Sequence, residues 1–242
     1  MSVFRFKQFE IRQERSAMKV GTDALVLGAL MSKNQKGSGL DIGSGTGVLS
    51  LMMAQLNPEM HVTAIEKDQE AYRESCQNAE NSMYQERIKV LHEDLLDWNP
   101  GEKFDLIVSN PPFYEAGYAS GEQRRDLARQ DVHLPPEVLI DKIAKLLSDS
   151  GSAFLIYPHT QNDRIVSCIK SEKLILNQRT IIYGKVDVPG RVVFKFSRIL
   201  EAQEDKELVV RDEFGQYTEA YILLTRDFHA TDLRSQLKKR KN

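Results

Sequence analysis

Cysteine, long apolar runs and an excess of charge of either sign are all scarce in this 242-residue chain. The two cysteines, Cys76 and Cys168, are too few for a disulfide framework, so we expect reduced thiols. The longest apolar runs, residues 24–31 and 48–56, fall short of the roughly 18 residues that a membrane-spanning helix needs. The charged N-terminus carries no apolar leader, and we therefore expect a cytoplasmic protein with no membrane contact.

A formal net charge of -2 excludes a protein that coats nucleic acid through bulk electrostatics. Contact with nucleic acid would have to come from local basic clusters, and the chain has two. The clusters are Arg124, Arg125 and Arg129, and the basic stretch 238–241 near the C-terminus. The alternative interpretation of both clusters is ordinary solvated surface charge. The five histidines have no ligand spacing among cysteines or carboxylates, so we predict no metal site.

Short apolar runs alternate with helix-length amphipathic segments through most of the chain. The predicted strands are residues 40–42, 61–65, 88–91, 104–109 and 154–157, and the predicted helices are residues 69–81, 136–147 (ended by Ser150 and Gly151) and 161–170. This alternation predicts βαβ units and one large α/β domain with a mainly parallel sheet. Two further strands, 179–182 and 192–197, should pair antiparallel around a Pro189–Gly190 turn.

A glycine-rich turn follows the first of these strands and contains Gly43, Gly45 and Gly47. Glycine lets a ligand approach the backbone closely, and ligands of doubly wound sheets bind beyond the carboxyl ends of the strands. The third glycine comes one residue too early for the dinucleotide pattern G-x-G-x-x-G. Asp41 would sit awkwardly beside a pyrophosphate but could engage a cation. Glu66, at the end of the second strand, could accept hydrogen bonds from both ribose hydroxyls, or be a solvated charge.

A second motif, Asn110–Pro111–Pro112–Phe113, follows the fourth predicted strand. The two prolines end the strand and fix a rigid loop at the carboxyl edge of the sheet. An exocyclic amine on a base carries two N–H donors and is a poor nucleophile, so it needs acceptors. The side-chain oxygen of Asn110 and the carbonyl of Pro111 could each accept one N–H, while Phe113 stacks on the base.

Both motifs resemble those of class I S-adenosylmethionine-dependent methyltransferases. The run D-x-G-x-G-x-G resembles their cofactor motif, and Asn-Pro-Pro-Phe resembles the [DNS]-P-P-[YFW] signature of the enzymes that methylate amine and amide nitrogens. The resemblance implies a Rossmann-like fold, with a seven-stranded, mainly parallel sheet, one antiparallel strand and helices on both faces. It also implies S-adenosylmethionine as cofactor and S-adenosylhomocysteine as product. The cofactor-binding residues that it implies are Lys19, Thr22, Asp41, Gly43, Gly45, Gly47, Glu66, Lys67, Asp94, Leu95 and Asn110.

Within that set, the resemblance places Asp94 at the adenine amine of the cofactor, with Leu95 offering a backbone amide. A surface turn is the alternative interpretation of this pair.

The segment 17–24, with its flanks 6–9 and 27–29, resembles the start of the bacterial tRNA1(Val) adenine-N6-methyltransferase family. The resemblance continues through residues 189–196, 208–211 and 217–221. It implies a cap segment 1–36 over the active site, with Lys19 and Thr22 near the methionine end of the cofactor. The methyltransferase domain would be residues 37–228, and a basic tail residues 229–242. Helix capping by Thr22 or Asp23 is the simpler explanation of that stretch.

The expected reaction is methylation of N6 of the adenine 3′ of the anticodon in tRNA1(Val), by a monomer whose partner is tRNA. A guanine-N2 ribosomal RNA methyltransferase and a protein-glutamine methyltransferase are alternatives, because each substrate presents a planar NH2 to Asn-Pro-Pro. Release-factor enzymes usually carry a helical substrate domain, and the roughly 40 residues before the glycine loop are too few for one. A binding module without turnover is the alternative outside enzymes.

Overall fold

The computed structural model describes residues 2–16, 18–112 and 134–234. The strands are β1 (Val3–Arg5), β2 (Glu10–Arg12), β3 (Lys36–Ile42), β4 (Glu59–Glu66), β5 (Ile88–His92), β6 (Phe104–Ser109), β7 (Leu147–Pro158), β8 (Ile175–Tyr183), β9 (Pro189–Ser197) and β10 (Glu204–Val209). The helices are α1 (Thr22–Leu30), α2 (Val48–Leu56), α3 (Gln69–Glu80), α4 (Pro136–Leu146), α5 (Asn162–Ser171) and α6 (Glu219–Thr225).

The main sheet has eight strands in the order β10-β8-β9-β7-β6-β3-β4-β5. Only β9 runs against the others, pairing antiparallel with both β7 and β8, so the prediction of a mainly parallel sheet with one antiparallel strand is confirmed. The predicted number of seven strands is wrong. The eighth strand, β10, lies at the edge of the sheet, and its first four residues are exposed. An exposed charged edge strand lacks the apolar alternation by which strands are recognised.

Two local predictions are also corrected. Pro189 and Gly190 lie inside β9, where Pro189 pairs with Tyr183 at the first position of the strand, a place that tolerates proline. Residues 184–188 make the connection instead. Helix α4 ends at Leu146 and β7 begins at once, so Ser150 and Gly151 lie within a strand, beside a register shift in its pairing with β6.

The beginning of α1 differs from the prediction as well. Gly21, and neither Thr22 nor Asp23, occupies the N-cap position of this helix, and a glycine has no side chain with which to cap it.

Apolar side chains form a layer on each face of the sheet. One layer joins α1, α2 and α6 to the N-terminal segment, and the other joins α4 and α5 to the opposite face. Strand β6 supplies both layers by alternation, since Leu106 and Val108 belong to the first and Ile107 to the second. Burial on both sides explains why this strand is apolar except at Asp105 and Ser109.

The N-terminal hairpin β1–β2 packs against the body of the fold. The rings of Phe6 and Phe9 stack with centroids 4.4 Å apart, and both side chains are buried in the first apolar layer. The amide of Lys7 donates to the carbonyl of Phe228 at 2.8 Å, which ties the hairpin to the chain beyond α6. In the described parts of the chain, no helix is long and apolar enough to span a membrane.

Candidate active site

Four adjacent parallel strands, β6-β3-β4-β5, bring the predicted site residues to one edge of the sheet. Gly43 follows β3, Glu66 ends β4, Asp94 comes two residues after β5, and Asn110 follows β6 directly. Because these strands are parallel, their carboxyl ends lie side by side. Backbone bonds join the ends: the Gly43 amide donates to the Ile65 carbonyl at 2.9 Å. The predicted residues therefore converge through topology, although they are far apart in sequence.

The glycine loop between β3 and α2 takes positive φ at all three glycines, 69° at Gly43, 55° at Gly45 and 79° at Gly47. A Cβ at Gly43 or Gly45 would meet no described atom within 4 Å, so the backbone there borders open space. At Gly47 a Cβ would lie 2.7 Å from Oγ of Ser75. The first two glycines thus leave room for a ligand, whereas the third allows the loop to pack against α3.

Asp41 lies beneath this loop, in the middle of the sheet, and its side chain is completely buried. One carboxylate oxygen, Oδ2, accepts a hydrogen bond from Oγ of Ser50 at 2.6 Å. The other, Oδ1, has no partner among the described residues. Burial raises the pKa of Asp41 from 3.8 to about 7, the hydrogen bonds from Ser50 oppose that rise, and the negative charge of Glu66 adds to it. A nearby cation would favour the ionised form.

Glu66 connects the glycine loop to the turn that follows β4. Its Oε2 accepts from the amide of Gly45 at 2.8 Å, and its Oε1 accepts from the amide of Asp68 at 2.9 Å. The side chain is 9% exposed, so the carboxylate lies at the margin of the space beside Gly45. Each carboxylate oxygen can accept more than one hydrogen bond, which leaves capacity for hydroxyl donors.

The turn after β5 carries Asp94 and Leu95. The Asp94 carboxylate accepts from the amide of Leu96 at 2.9 Å and lies 3.8 Å from the ammonium of Lys67. Leu95 is buried in the second apolar layer, while Asp94 is about one-third exposed. The carboxylate is therefore accessible to a polar ligand, and the buried leucine anchors the turn that presents it.

Asn110 stands where β6 leaves the sheet, beside the glycine loop. Oγ of Ser109 donates to the Ile42 carbonyl at 2.8 Å, which joins the ends of β6 and β3. The side-chain oxygen of Asn110 is shielded from solvent and has no hydrogen-bond partner among the described residues. Pro111 is buried and Pro112 is partly exposed, whereas Phe113 lies outside the described residues. A hydrogen-bond acceptor that is shielded from solvent and has no donor destabilises the fold, unless another group donates to it.

Lys19 and Thr22 are both exposed, on the stretch that leads into α1. Their neighbour Asp23 accepts a hydrogen bond from Nε of Arg191 at 2.9 Å, which ties the start of α1 to β9. The basic residues Arg124, Arg125 and Arg129, like the stretch 238–241, lie outside the described residues. Within residues 2–16, 18–112 and 134–234, no group of three or more His, Cys, Asp or Glu side chains is placed to hold a metal ion.

Sequence reasoning missed two buried polar residues of α3, Glu74 and Asn78, which contact the N-terminal segment. On a polar helix a glutamate ordinarily indicates the solvent-facing side. Their four-residue spacing, which puts both on the face of Ala71 and Ser75, was the available signal.

Comparison with known proteins decides the family. A family model for the methyltransferase small domain matches residues 15–161. A tRNA1(Val) (adenine(37)-N6)-methyltransferase from Flavobacterium psychrophilum is 37% identical over 231 residues, which covers 94% of this chain and 99% of the relative. This chain belongs to the tRNA1(Val) (adenine(37)-N6)-methyltransferase family. A relative of the same name from Vibrio cholerae is 34% identical and covers 93% of this chain and 94% of its own length.

Membership of this methyltransferase family confirms the resemblance inferred from the N-terminal segment and the two motifs. The fold agrees with it. A structure described as a predicted O-methyltransferase from Agrobacterium tumefaciens has a TM-score of 0.64 at 18% identity, over 85% of this chain and 96% of its own. A ribosomal protein L11 methylase from Lactobacillus delbrueckii has a TM-score of 0.53 at 18% identity, over 73% of this chain and 77% of its own. Family and fold together imply S-adenosylmethionine-dependent chemistry.

Proposed function

We propose that this protein transfers a methyl group from S-adenosylmethionine to N6 of an adenine in tRNA, namely the adenine 3′ of the anticodon in tRNA1(Val). The observation that carries the proposal is the side-chain oxygen of Asn110. It is shielded from solvent, lacks a partner among the described residues and stands beside a glycine loop that borders open space. An acceptor held in this way suits a substrate that brings its own N–H donor.

The residues around the glycine loop fit S-adenosylmethionine. Gly43 and Gly45 leave space in which a Cβ would meet no described atom, and an acidic side chain borders that space at Glu66. In the proposed arrangement Glu66 accepts hydrogen bonds from the ribose hydroxyls, Asp94 from the adenine amine, and the amide of Leu95 donates to the adenine ring. The buried carboxylate of Asp41 compensates the positive charge of the methionine end, beside which Lys19 and Thr22 lie.

The remaining residues of the proposed cofactor site are Gly47, which lets the loop close on α3, and Lys67, whose ammonium lies 3.8 Å from the Asp94 carboxylate.

When bound, S-adenosylmethionine supplies a methyl carbon on a sulfonium sulfur, and the electron pair of the broken C–S bond stays on sulfur. The side-chain oxygen of Asn110 accepts one N–H of the adenine amine, and the carbonyl of Pro111 accepts the other. Together they turn the nitrogen lone pair towards the methyl carbon.

The surroundings of the amine complete the proposed chemistry. Pro112 keeps the loop rigid, and Phe113 stacks on the adenine ring. After transfer the nitrogen is positively charged and acidic enough to release its proton to water, so no strong base is needed in the chain. Because all these groups come from one chain, we expect a monomer that acts without a metal ion, in the cytoplasm where tRNA is found. Residues 1–36 would act as the cap, 37–228 as the methyltransferase domain and 229–242 as a basic tail.

The test is transfer of labelled methyl from S-adenosylmethionine to unmodified total tRNA, followed by nucleoside analysis. We expect labelled N6-methyladenosine with the wild type. With Asn110→Ala the rate should fall about 100-fold, as when one oriented hydrogen-bond partner of a reacting group is removed. The affinity for S-adenosylhomocysteine, measured by calorimetry, should change much less. Asn99→Ala, an exposed loop asparagine, serves as the matched control and should keep the full rate.

Three results would contradict the proposal. Label in ribosomal RNA as N2-methylguanosine, or in release factor as methylglutamine, would keep the methyltransferase and overturn the substrate. An Asn110→Ala variant as fast as Asn99→Ala would remove the proposed role of the asparagine. Binding of S-adenosylhomocysteine without transfer to any of the three substrates would indicate a binding module.

A further inference from the structure

Glu74, on the inner face of α3, is only 2% exposed, and its carboxylate binds backbone. Oε1 accepts hydrogen bonds from the amides of Glu14 and Arg15, and Oε2 accepts from the amide of Ser16 at 2.9 Å. Burial alone would raise the pKa of Glu74, but the hydrogen bonds from residues 14–16 together lower it. Three consecutive N–H groups of the N-terminal segment thus bind the carboxylate inside the protein, a geometry that favours its ionised form.

Asn78, one turn further along α3, links the same segment to the glycine loop. Its side-chain oxygen accepts from the amide of Arg12 at 2.9 Å, and its amide group donates both to the Arg12 carbonyl at 2.9 Å and to the Thr46 carbonyl at 2.8 Å. Thr46 lies between Gly45 and Gly47. One buried side chain therefore holds the N-terminal segment and the loop that borders the proposed cofactor site.

A third contact carries the constraint towards α1. Oε1 of Gln13, a residue only 8% exposed, accepts from the amide of Val20 at 2.8 Å. Val20 lies between Lys19 and Thr22, the two exposed residues proposed to lie near the methionine end of the cofactor. Residues 12–16 thus have fixed contacts in two directions, to the glycine loop and to the entrance of α1.

Burying a carboxylate is unfavourable unless hydrogen bonds or an opposite charge compensate it. Apolar packing would attach the N-terminal segment to α3 at a lower cost in free energy. An oriented polar network instead fixes the backbone of both segments in one arrangement. We propose that Glu74 and Asn78 are positioning residues for cofactor binding. They hold residues 12–16 beside the glycine loop and so set the shape of the site before S-adenosylmethionine arrives. This inference rests on the proposed function, because it takes the open side of the loop as the cofactor site.

The test compares Glu74→Gln and Asn78→Ala with a matched control on the same helix, Glu80→Gln, whose side chain is exposed. Gln keeps the size of Glu74, but its side-chain NH2 replaces one of the two carboxylate oxygens. It therefore faces at least one backbone N–H as a second donor, and that hydrogen bond is lost. For both variants we expect the dissociation constant of S-adenosylhomocysteine, measured by calorimetry, and the KM for S-adenosylmethionine to rise about tenfold, the effect of losing roughly one good hydrogen bond. The kcat at saturating cofactor should stay within about twofold, and amide hydrogen exchange of residues 14–16 should accelerate.

A purely structural role would give a different pattern. Faster exchange at residues 14–16 with cofactor affinity equal to that of Glu80→Gln would overturn the proposal, and so would an unchanged KM with a lowered kcat. If Glu74→Gln does not fold, Asn78→Ala alone decides, by the same criteria. A wild type that binds S-adenosylhomocysteine but methylates no tRNA would refute the proposed function, while the binding comparison would still judge the positioning role. Failure of the wild type to bind would overturn both.

Discussion

Replacement of Asp41 by Asn should remove a pH dependence of stability that this carboxylate imposes on the fold. Asp41 lies on β3, which pairs with β4 and β6, and its completely buried side chain accepts a hydrogen bond from Ser50 through one oxygen only. Its pKa is about 7 in the folded protein, chiefly because of burial, against 3.8 for an ordinary aspartate. Since the folded-state pKa is the higher one, the folded protein binds the proton more tightly than the unfolded chain does.

The sign of the effect follows from that difference. The stability that the protonated Asp41 confers is fully present below pH 3.8 and is lost as the pH rises through about 7. One unit of pKa difference corresponds to about 1.4 kcal/mol, so the wild type should lose about 3 kcal/mol between pH 5 and pH 8 through this group. Asn cannot titrate, and its side-chain oxygen can still accept from Ser50.

Urea unfolding of the ligand-free protein at pH 5 and pH 8 measures this difference directly. The free energy of unfolding of Asp41→Asn minus that of the wild type should be larger by about 3 kcal/mol at pH 8 than at pH 5, because only the wild type loses this stability as the pH rises. Taking the difference between the two pH values cancels any pH-independent cost of the amide. Asp97→Asn, in the exposed turn after Asp94, is the matched control and should show no such change. An Asp41→Asn difference equal at both pH values would refute the reasoning.

Two further predictions concern the cofactor and the core. Glu66→Gln should weaken S-adenosylhomocysteine binding about tenfold in calorimetry. The two carboxylate oxygens of Glu66 accept from the amides of Gly45 and Asp68, whereas the Gln side chain has only one oxygen acceptor to share between these amides and the ribose hydroxyls. Unchanged affinity would exclude Glu66 from ribose binding. Phe194→Ala, at a completely buried position of β9, should lower the free energy of unfolding by about 3–5 kcal/mol in urea titration. A loss below about 1 kcal/mol would contradict the burial of Phe194 in the second apolar layer.

The central strands and the position of the glycine loop could be predicted from the sequence because their signals are local. Buried parallel strands such as β6 are mostly apolar, and closely spaced glycines after a strand, here Gly43, Gly45 and Gly47, indicate a turn whose backbone takes positive φ. Topology then places Asn110 beside that loop without further information, since parallel neighbours end at the same edge. These residues are the ones on which the proposed chemistry depends.

Strand β10, the start of β9 and the burial of Glu74 could not be predicted from local patterns, because each depends on contacts with segments that are distant in sequence. Glu204–Val209 reads as a polar connection, and only its pairing with β8 makes it a strand. Pro189 resembles a turn residue, yet it begins β9 because that position tolerates the missing N–H. Glu74 is a surface residue by type, and only the three amides of residues 14–16 explain its burial.

The central claim, methyl transfer to N6 of one adenine of tRNA, is tested most directly with two transcripts of tRNA1(Val). One carries the natural adenine 3′ of the anticodon, and the other carries guanine at that position only. Each is incubated with the wild-type protein and labelled S-adenosylmethionine, and the nucleosides are then analysed. We predict one N6-methyladenosine per molecule of the first transcript and no label in the second. Equal labelling of both transcripts, or labelling of neither while another RNA or protein accepts the methyl group, would contradict the account.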